Sequence, residues 1–191
     1  MLTAKDAAAF IKGKAIELRG LRRDDLPLYA SWIDNREATQ FMETGWRPAH
    51  EAELEGIFKT STEAPDHAVF VIVDKTSGKP VGVAGLYLIH WICRRAEFRI
   101  LIGDSAALGR GLGTEACELI VSYGFEHLNL ELIYLGVNCE NTRAIRSYEK
   151  SGFVTEGIRR KLIYRNGTYY DAQMMSILRE EYMIRKATAA K

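Results

Sequence analysis

The sequence predicts a single α/β (α+β) domain in which a mixed central sheet of about seven strands is flanked by helices. Three observations carry that expectation. Strand-like runs and helix-like runs interleave along the whole chain, with no repeat, low-complexity linker or shift in composition to mark a boundary. A glycine-rich segment, Leu108-Gly-Arg-Gly-Leu-Gly-Thr-Glu-Ala116, follows the apolar run at 98–102 and precedes a helical pattern. Asn166-Gly167 joins two alternating segments, as a two-residue hairpin turn does.

Taken in order, residues 15–21 alternate apolar and polar as a half-buried strand does. Asp24 or Asp25 is placed to cap a helix through Leu26, Tyr29, Trp32 and Ile33 that ends near Asn35. A second helix is expected over 51–60, with Leu54, Ile57 and Phe58 on one face. Strands follow at 69–73, 81–91 and 95–102, the first two joined by a turn at 76–80. After the glycine segment the pattern is helical over 114–127, extended over 132–137 and helical over 141–151, with Gly152 at the C′ position. A strand starts at 153–157, and 161–164 pairs with 169–178 across the Asn-Gly turn. The tail from 180 is helical and then frayed, and residues 1–12 and 186–191 are expected to be peripheral.

The formal net charge of +1 offers no electrostatic case for nucleic acid or an anionic membrane. No apolar run approaches the ~20 residues that span a bilayer, and the N-terminus lacks the apolar stretch of a signal peptide. Cys93, Cys117 and Cys139 are odd in number and widely spaced, with no CxxC or HxxH pair to suggest zinc. Cys117, inside the helix after the glycine loop, reads as a buried structural thiol. A reducing cytoplasm fits these features.

The glycine segment is where chemistry enters. Glycine permits φ > 0 and close approach of a ligand to the backbone. The first N–H groups of the following helix lack intrahelical partners and carry partial positive charge. Strand, glycine loop and helix N-terminus together suit a phosphate or pyrophosphate. A P-loop is excluded because Leu112-Gly-Thr114 lacks its lysine. A dinucleotide fold fits poorly, because four strands precede the loop and at least two of them are antiparallel.

A second segment, Asn141-Thr-Arg-Ala-Ile-Arg-Ser-Tyr-Glu-Lys-Ser-Gly-Phe153, follows the loop. Together the two resemble the fingerprint of the GNAT superfamily of acyl-CoA-dependent N-acyltransferases: a (Q/R)-x-x-G-x-(G/A) loop, then N-x-x-(A)-x-x-x-Y-x-x-x-G-F. The resemblance covers nearly the whole chain. The segments at 19–26, 32–35, 94–97 and 156–157 look like the branch containing the ribosomal-protein N-terminal acetyltransferases, which also holds amino-sugar, polyamine and antibiotic acetyltransferases. Leu108 departs from the family's Gln/Arg, and backbone binding at this loop should tolerate that.

The resemblance implies a GNAT fold splayed between its fourth and fifth strands, acetyl-CoA as cosubstrate, and no metal. It implies that backbone N–H groups of Arg110, Gly111, Leu112, Gly113 and Thr114 hold the CoA pyrophosphate, with charge added by the Arg110 side chain. Pantetheine would pair with the fourth strand around Leu101 and Ile102, where a backbone N–H would also polarise the thioester carbonyl. Asn141 would bond the pantetheine arm, a role compatible with a helix N-cap. Tyr148, seven residues on and on the same face, would protonate the departing thiolate. Its alternative is a core tyrosine packed on the sheet.

An amine acceptor is mostly cationic at neutral pH and must lose a proton. Glu97 on the fourth strand is the expected general base, against a structural carboxylate paired with Arg95 or Arg99. His90 is the second candidate, and Asp171 either orients the amine or braces the pocket. By resemblance, the acceptor site is built from residues 36–47 and 164–170. Glu37, Phe41, Glu43 and Trp46 suit a cation or a sugar ring there, with Tyr164, Tyr169 and Tyr170 as pocket or hairpin residues. A small amine such as an amino sugar, polyamine or aminoglycoside-like compound is preferred, with a protein N-terminal amine as the alternative. A non-catalytic CoA-binding module is a third reading, which retention of Tyr148 and Glu97 opposes. A homodimer is compatible with the family.

Overall fold

The computed structural model describes residues 9–189. Eight strands form one sheet: β1 (Ile11–Lys12), β2 (Ile16–Gly20), β3 (Ala68–Asp74), β4 (Lys79–His90), β5 (Arg95–Ile102), β6 (Leu132–Asn138), β7 (Val154–Arg165) and β8 (Thr168–Leu178). Their spatial order is β1-β2-β3-β4-β5-β6-β8-β7. Every neighbouring pair is antiparallel except β5 and β6. That parallel pair registers only Arg95↔Leu132, Ala96↔Ile133 and Glu97↔Tyr134. Beyond Glu97 the two strands part, so residues 98–102 of β5 face a gap where the resemblance placed the splay.

Alternation along the strands sends side chains to two cores. On one face, Ile16, Leu18, Phe70, Ile72, Leu86, Ala96 and Phe98 pack against α3 (Leu112–Glu126) through Leu112, Ala116, Ile120 and Phe125. The same core takes Ala144, Ile145 and Tyr148 from α4 (Thr142–Ser151) and Tyr182 from α5 (Arg179–Ala189). On the opposite face, Val71, Val83 and Leu101 meet Trp32 of α1 (Leu26–Asp34) and Phe58 of α2 (Glu51–Glu63). Among the described residues, no helix is long and apolar enough to cross a membrane.

Several boundaries differ from expectation for local reasons. Residues 11–12, expected to be peripheral, form β1, which is too short to show alternation. The strands expected at 153–157 and 161–164 are one strand, β7, with register shifts at Thr155/Gly157 and Arg159/Ile163. Lys161 at φ +53° marks the second shift, and the polar run Arg159-Arg160-Lys161 hides the continuity. α3 starts at Leu112, because Gly111 at φ +81° is its N-cap. α2 continues to Glu63. Asp25 does not cap α1 with its side chain. Its carboxylate instead accepts from the Arg22 N–H (2.9 Å) and from the Arg19 guanidinium (2.7 and 2.8 Å). Residues 186–189, expected to be peripheral, belong to α5, where Lys186 pairs with Glu126 at 2.6 Å. The expectations for residues 1–8 and 190–191 lie outside the described residues.

Candidate active site

The gap between β5 and β6 opens into a cleft of about 1140 Å³. Its floor is β4, β5 and β6; its walls are α2, the loop between α1 and α2, and the β7–β8 hairpin. Glu97 and Arg99 reach it from the α1–α2 face of β5, whereas Phe98, Asn141 and Tyr148 reach it from the α3–α4 face. The parting of the strands therefore brings the two predicted catalytic side chains into one cavity although they belong to opposite faces of the sheet.

Tyr148 packs its ring edge-on to Phe98 (centroids 6.1 Å apart) and against Phe153 (5.9 Å). Burial, with a smaller contribution from Cys117, raises its phenol pKa above the ordinary value of 10.0. It therefore stays protonated at neutral and mildly alkaline pH, as a proton donor must. Glu97 forms a two-pronged pair with Arg99, at 2.9 Å from Nε and 2.8 Å from Nη2. The Arg99 guanidinium also lies over the Tyr87 ring, 5.0 Å from its centroid. Tyr87 is cross-strand from Glu97, so the three side chains share one face. The pairing weighed for Glu97 in the sequence is thus present with Arg99, on a carboxylate that still borders the cleft.

At the far end of β5 stands the N-terminus of α3. Gly109 and Gly111 have φ +77° and +81°, a region that costs other L-residues strain, and no side chain caps the helix. The N–H of Glu115 bonds the Gly111 carbonyl at 3.0 Å, which leaves the N–H groups of Leu112, Gly113 and Thr114 without intrahelical partners. Gly113 lies beside Ile100 and Ile102, so this donor cluster adjoins the open stretch of β5. The Leu112 side chain is buried (2% exposed) and only its backbone is available. Thr114 Oγ1 is bonded to Ser147 Oγ at 2.7 Å, tying α3 to α4. The Arg110 side chain differs from expectation: its guanidinium binds Asp74 at 2.9 and 3.3 Å. That bond holds the Asp74 carboxyl at about 2 and offsets the charge expected at the loop. Leu101 points into the α1–α2 core and Ile102 toward the opposite one, as successive strand residues must. Asn141 caps α4, its Oδ1 accepting from the Ala144 N–H at 3.2 Å, while it lines the cleft.

Other expected residues lie elsewhere. His90 is exposed and outside the cleft lining; its Nδ1 accepts from the Cys93 N–H at 3.0 Å, which closes the β4–β5 turn. Asp171 braces the hairpin by accepting from the Lys161 N–H at 2.8 Å. Tyr164 and Tyr169 are exposed and pack against one another with rings tilted by 50° (centroids 4.7 Å apart) outside the cleft lining, which does not include Tyr170 either. Trp46 is 72% exposed, with the Arg47 guanidinium 4.8 Å from its ring centroid, and Glu37 is exposed; neither lines the cleft. Phe41 and Glu43 do line it. Cys117 is fully buried, its thiol pushed up to about 12 by desolvation, as the sequence suggested.

Several lining residues were not singled out as site residues in the sequence. Glu53 and Glu156 bring the glutamates of the cleft to four, with Glu43 and Glu97, against the arginines Arg99 and Arg159. Asn138 is 2% exposed and lines the cleft, with its Oδ1 held by the Glu140 N–H (2.9 Å) and its Nδ2 without a protein partner. Such a donor is costly to leave unpaired. His67 faces the cleft with Nδ1 2.8 Å from Asp66 Oδ1 and its ring edge-on to Tyr87.

Residues 15–154 match the family model described as "Acetyltransferase (GNAT) domain". A spermidine N(1)-acetyltransferase of Escherichia coli is 34% identical over 176 residues, 91% of this chain and 91% of its own. A spermidine N(1)-acetyltransferase of Vibrio cholerae is 33% identical over 89% of this chain and 96% of its own. A crystal structure of spermidine N-acetyltransferase from Vibrio cholerae, in complex with CoA and spermine, superposes with a TM-score of 0.80 at 32% identity. It covers 90% of this chain and 99% of that one.

Proposed function

Because this chain belongs to the GNAT acetyltransferases and is an acetyl-CoA-dependent N-acetyltransferase, we propose that its acceptor is a primary amine of a linear polyamine. The observation that carries this is the cleft, where four glutamates face two arginines beside the aromatic rings of Phe41, Tyr29 and Tyr87. A flexible chain with several ammonium groups matches spaced carboxylates and aromatic faces; a sugar ring would call for more neutral donors and acceptors. The two relatives described above, matched at 33–34% identity over about nine-tenths of the chain, are spermidine acetyltransferases, which favours a polyamine over the ribosomal-protein type of substrate.

In this proposal the pyrophosphate of acetyl-CoA accepts from the backbone N–H groups at Gly111, Leu112, Gly113 and Thr114, with that of Arg110 beside them. The pantetheine arm lies in the β5–β6 gap along Leu101 and Ile102, bonded by the Asn141 carboxamide. The thioester then sits between the two catalytic groups. Glu97, directly or through water, takes a proton from the ammonium, and the amine nitrogen attacks the carbonyl carbon. Collapse of the tetrahedral intermediate breaks the C–S bond, Tyr148 donates its proton to the departing sulfur, and the nitrogen sheds its second proton to water, from which the phenol is reprotonated. No cysteine lines the cleft among the described residues, which fits direct transfer rather than an acyl-cysteine intermediate.

The test is release of free CoA thiol from acetyl-CoA in the presence of spermidine, spermine, a linear monoamine, an amino sugar and a peptide with a free N-terminus. Spermidine and spermine should give the highest kcat/KM. Faster turnover of the amino sugar or the peptide than of either polyamine would overturn the assignment.

A further inference from the structure

We propose that Arg165 is a specificity-positioning residue. From the end of β7 its buried guanidinium fixes the loop that presents Glu43 to the cleft, and so sets the spacing of Glu43 from Glu97 that a multiply charged amine must match. The proposal deepens the polyamine reading of the cleft and rests on it.

Arg165 is 6% exposed, and no carboxylate lies within ion-pair distance among the described residues. Its donors are taken by neutral oxygens of a single distant loop. Nη1 donates to the Thr44 carbonyl at 2.6 Å, and Nη2 donates to the Gly45 carbonyl and to Thr39 Oγ1, both at 3.0 Å. Thr39, fully buried, donates its own hydroxyl proton to the Asn35 carbonyl at 3.0 Å, so its oxygen is free to accept from Arg165. Gly45 has φ +77°, and a Cβ there would fall 2.5 Å from Thr39 Oγ1 and 2.8 Å from the Ile33 carbonyl oxygen. One side chain therefore holds both ends of the segment 39–45.

The residues between those ends, Phe41, Met42 and Glu43, line the cleft. Glu43 is near enough to Arg99 to help stabilise its cation, and Arg99 grips Glu97. Displacement of the loop would move one carboxylate of the cleft relative to the other. A monoamine needs only the reactive end of the cleft, whereas a polyamine also needs its second cation placed. The hydrogen bonds of Arg165 do not involve α3 or α4, which carry the expected CoA donors. Lysine cannot replace the fork, because one ammonium cannot serve these three acceptors with planar, diverging N–H groups.

The experiment compares wild type with Arg165→Lys, Thr39→Val and Thr39→Ser, varying spermidine, a linear monoamine and acetyl-CoA in turn. Thermal unfolding confirms that each variant is folded. Arg165→Lys should raise KM for spermidine about tenfold, the scale of one lost charge-assisted hydrogen bond. KM for acetyl-CoA and kcat/KM for the monoamine should stay within about twofold. Thr39→Val should shift spermidine in the same direction by less, and Thr39→Ser should restore it. If Arg165→Lys does not fold, the threonine pair carries the comparison. Equal losses for spermidine and monoamine, an equal shift for acetyl-CoA, or unchanged kinetics would overturn the role. Wild type that fails to prefer spermidine over the monoamine would instead overturn the polyamine reading itself.

Discussion

At the residue scale the proposed mechanism rests on two side chains that approach one cavity from opposite faces of a sheet. If Tyr148 protonates the leaving thiolate, Tyr148→Phe should lower kcat by about 10²-fold or more, while KM for acetyl-CoA changes little. Equal losses in both would mark it as a core residue supporting Phe98 and Phe153. Removing the carboxylate at Glu97 makes turnover depend on amine that is already deprotonated, and aliphatic amines titrate near pH ~10.4. Activity of Glu97→Gln should therefore be low at neutral pH and recover as pH rises, measured as kcat/KM against pH. A profile parallel to wild type would remove Glu97 as the base. That Tyr148 and Glu97 would be candidates was legible because each stands at a fixed place in a motif or on a strand, and both line the cleft. Asn138 and Arg165 were not, because nothing local reveals a buried amide without a partner or a guanidinium whose acceptors lie 120 to 126 residues away.

At the element scale, the N-terminus of α3 depends on a glycine. Gly111→Ala would place an L-residue at φ +81°, at a cost of about 1–2 kcal/mol. The strain falls where the N–H groups converge, so KM for acetyl-CoA should rise more than KM for the amine, and the midpoint of thermal unfolding should fall. Beside this loop, Asp74 is held at about 2 against its ordinary 3.8, first by the hydrogen bond from Arg110. Across α3, Glu126 is held at about 2 against 4.5, first by Lys186 and then by Tyr182. Both folded values are depressed, so these groups contribute stability above their ordinary values and lose it as pH falls toward 2. Unfolding midpoints of wild type and Asp74→Asn should differ at neutral pH and converge between about pH 4 and pH 2. A constant difference across that range would mean that the carboxylate's charge is not what matters. The regular elements were legible from periodicity alone. β1 and the bulged continuity of β7 were hidden because two residues show no alternation and a basic run interrupts the pattern.

At the scale of the whole molecule, a formal net charge of +1 conceals a local excess of glutamate in the cleft. Only the fold shows that Glu43, Glu53, Glu97 and Glu156, drawn from four separate segments, face the same space. Attraction of a polycation to that cleft should weaken with ionic strength: KM for spermidine should rise from low to high salt, and KM for a monoamine should rise less. Equal salt dependence for the two would show that the glutamates do not gather the additional cations. In the proposed function, the parted strands, the helix N-terminus at one end and the acidic cleft at the other form a path on which thioester and amine meet directly. Initial rates with acetyl-CoA and spermidine both varied test that claim most directly. Intersecting double-reciprocal lines, with one CoA thiol released for each acetylated polyamine, are the predicted result; parallel lines, or no thiol release with any polyamine, would contradict it.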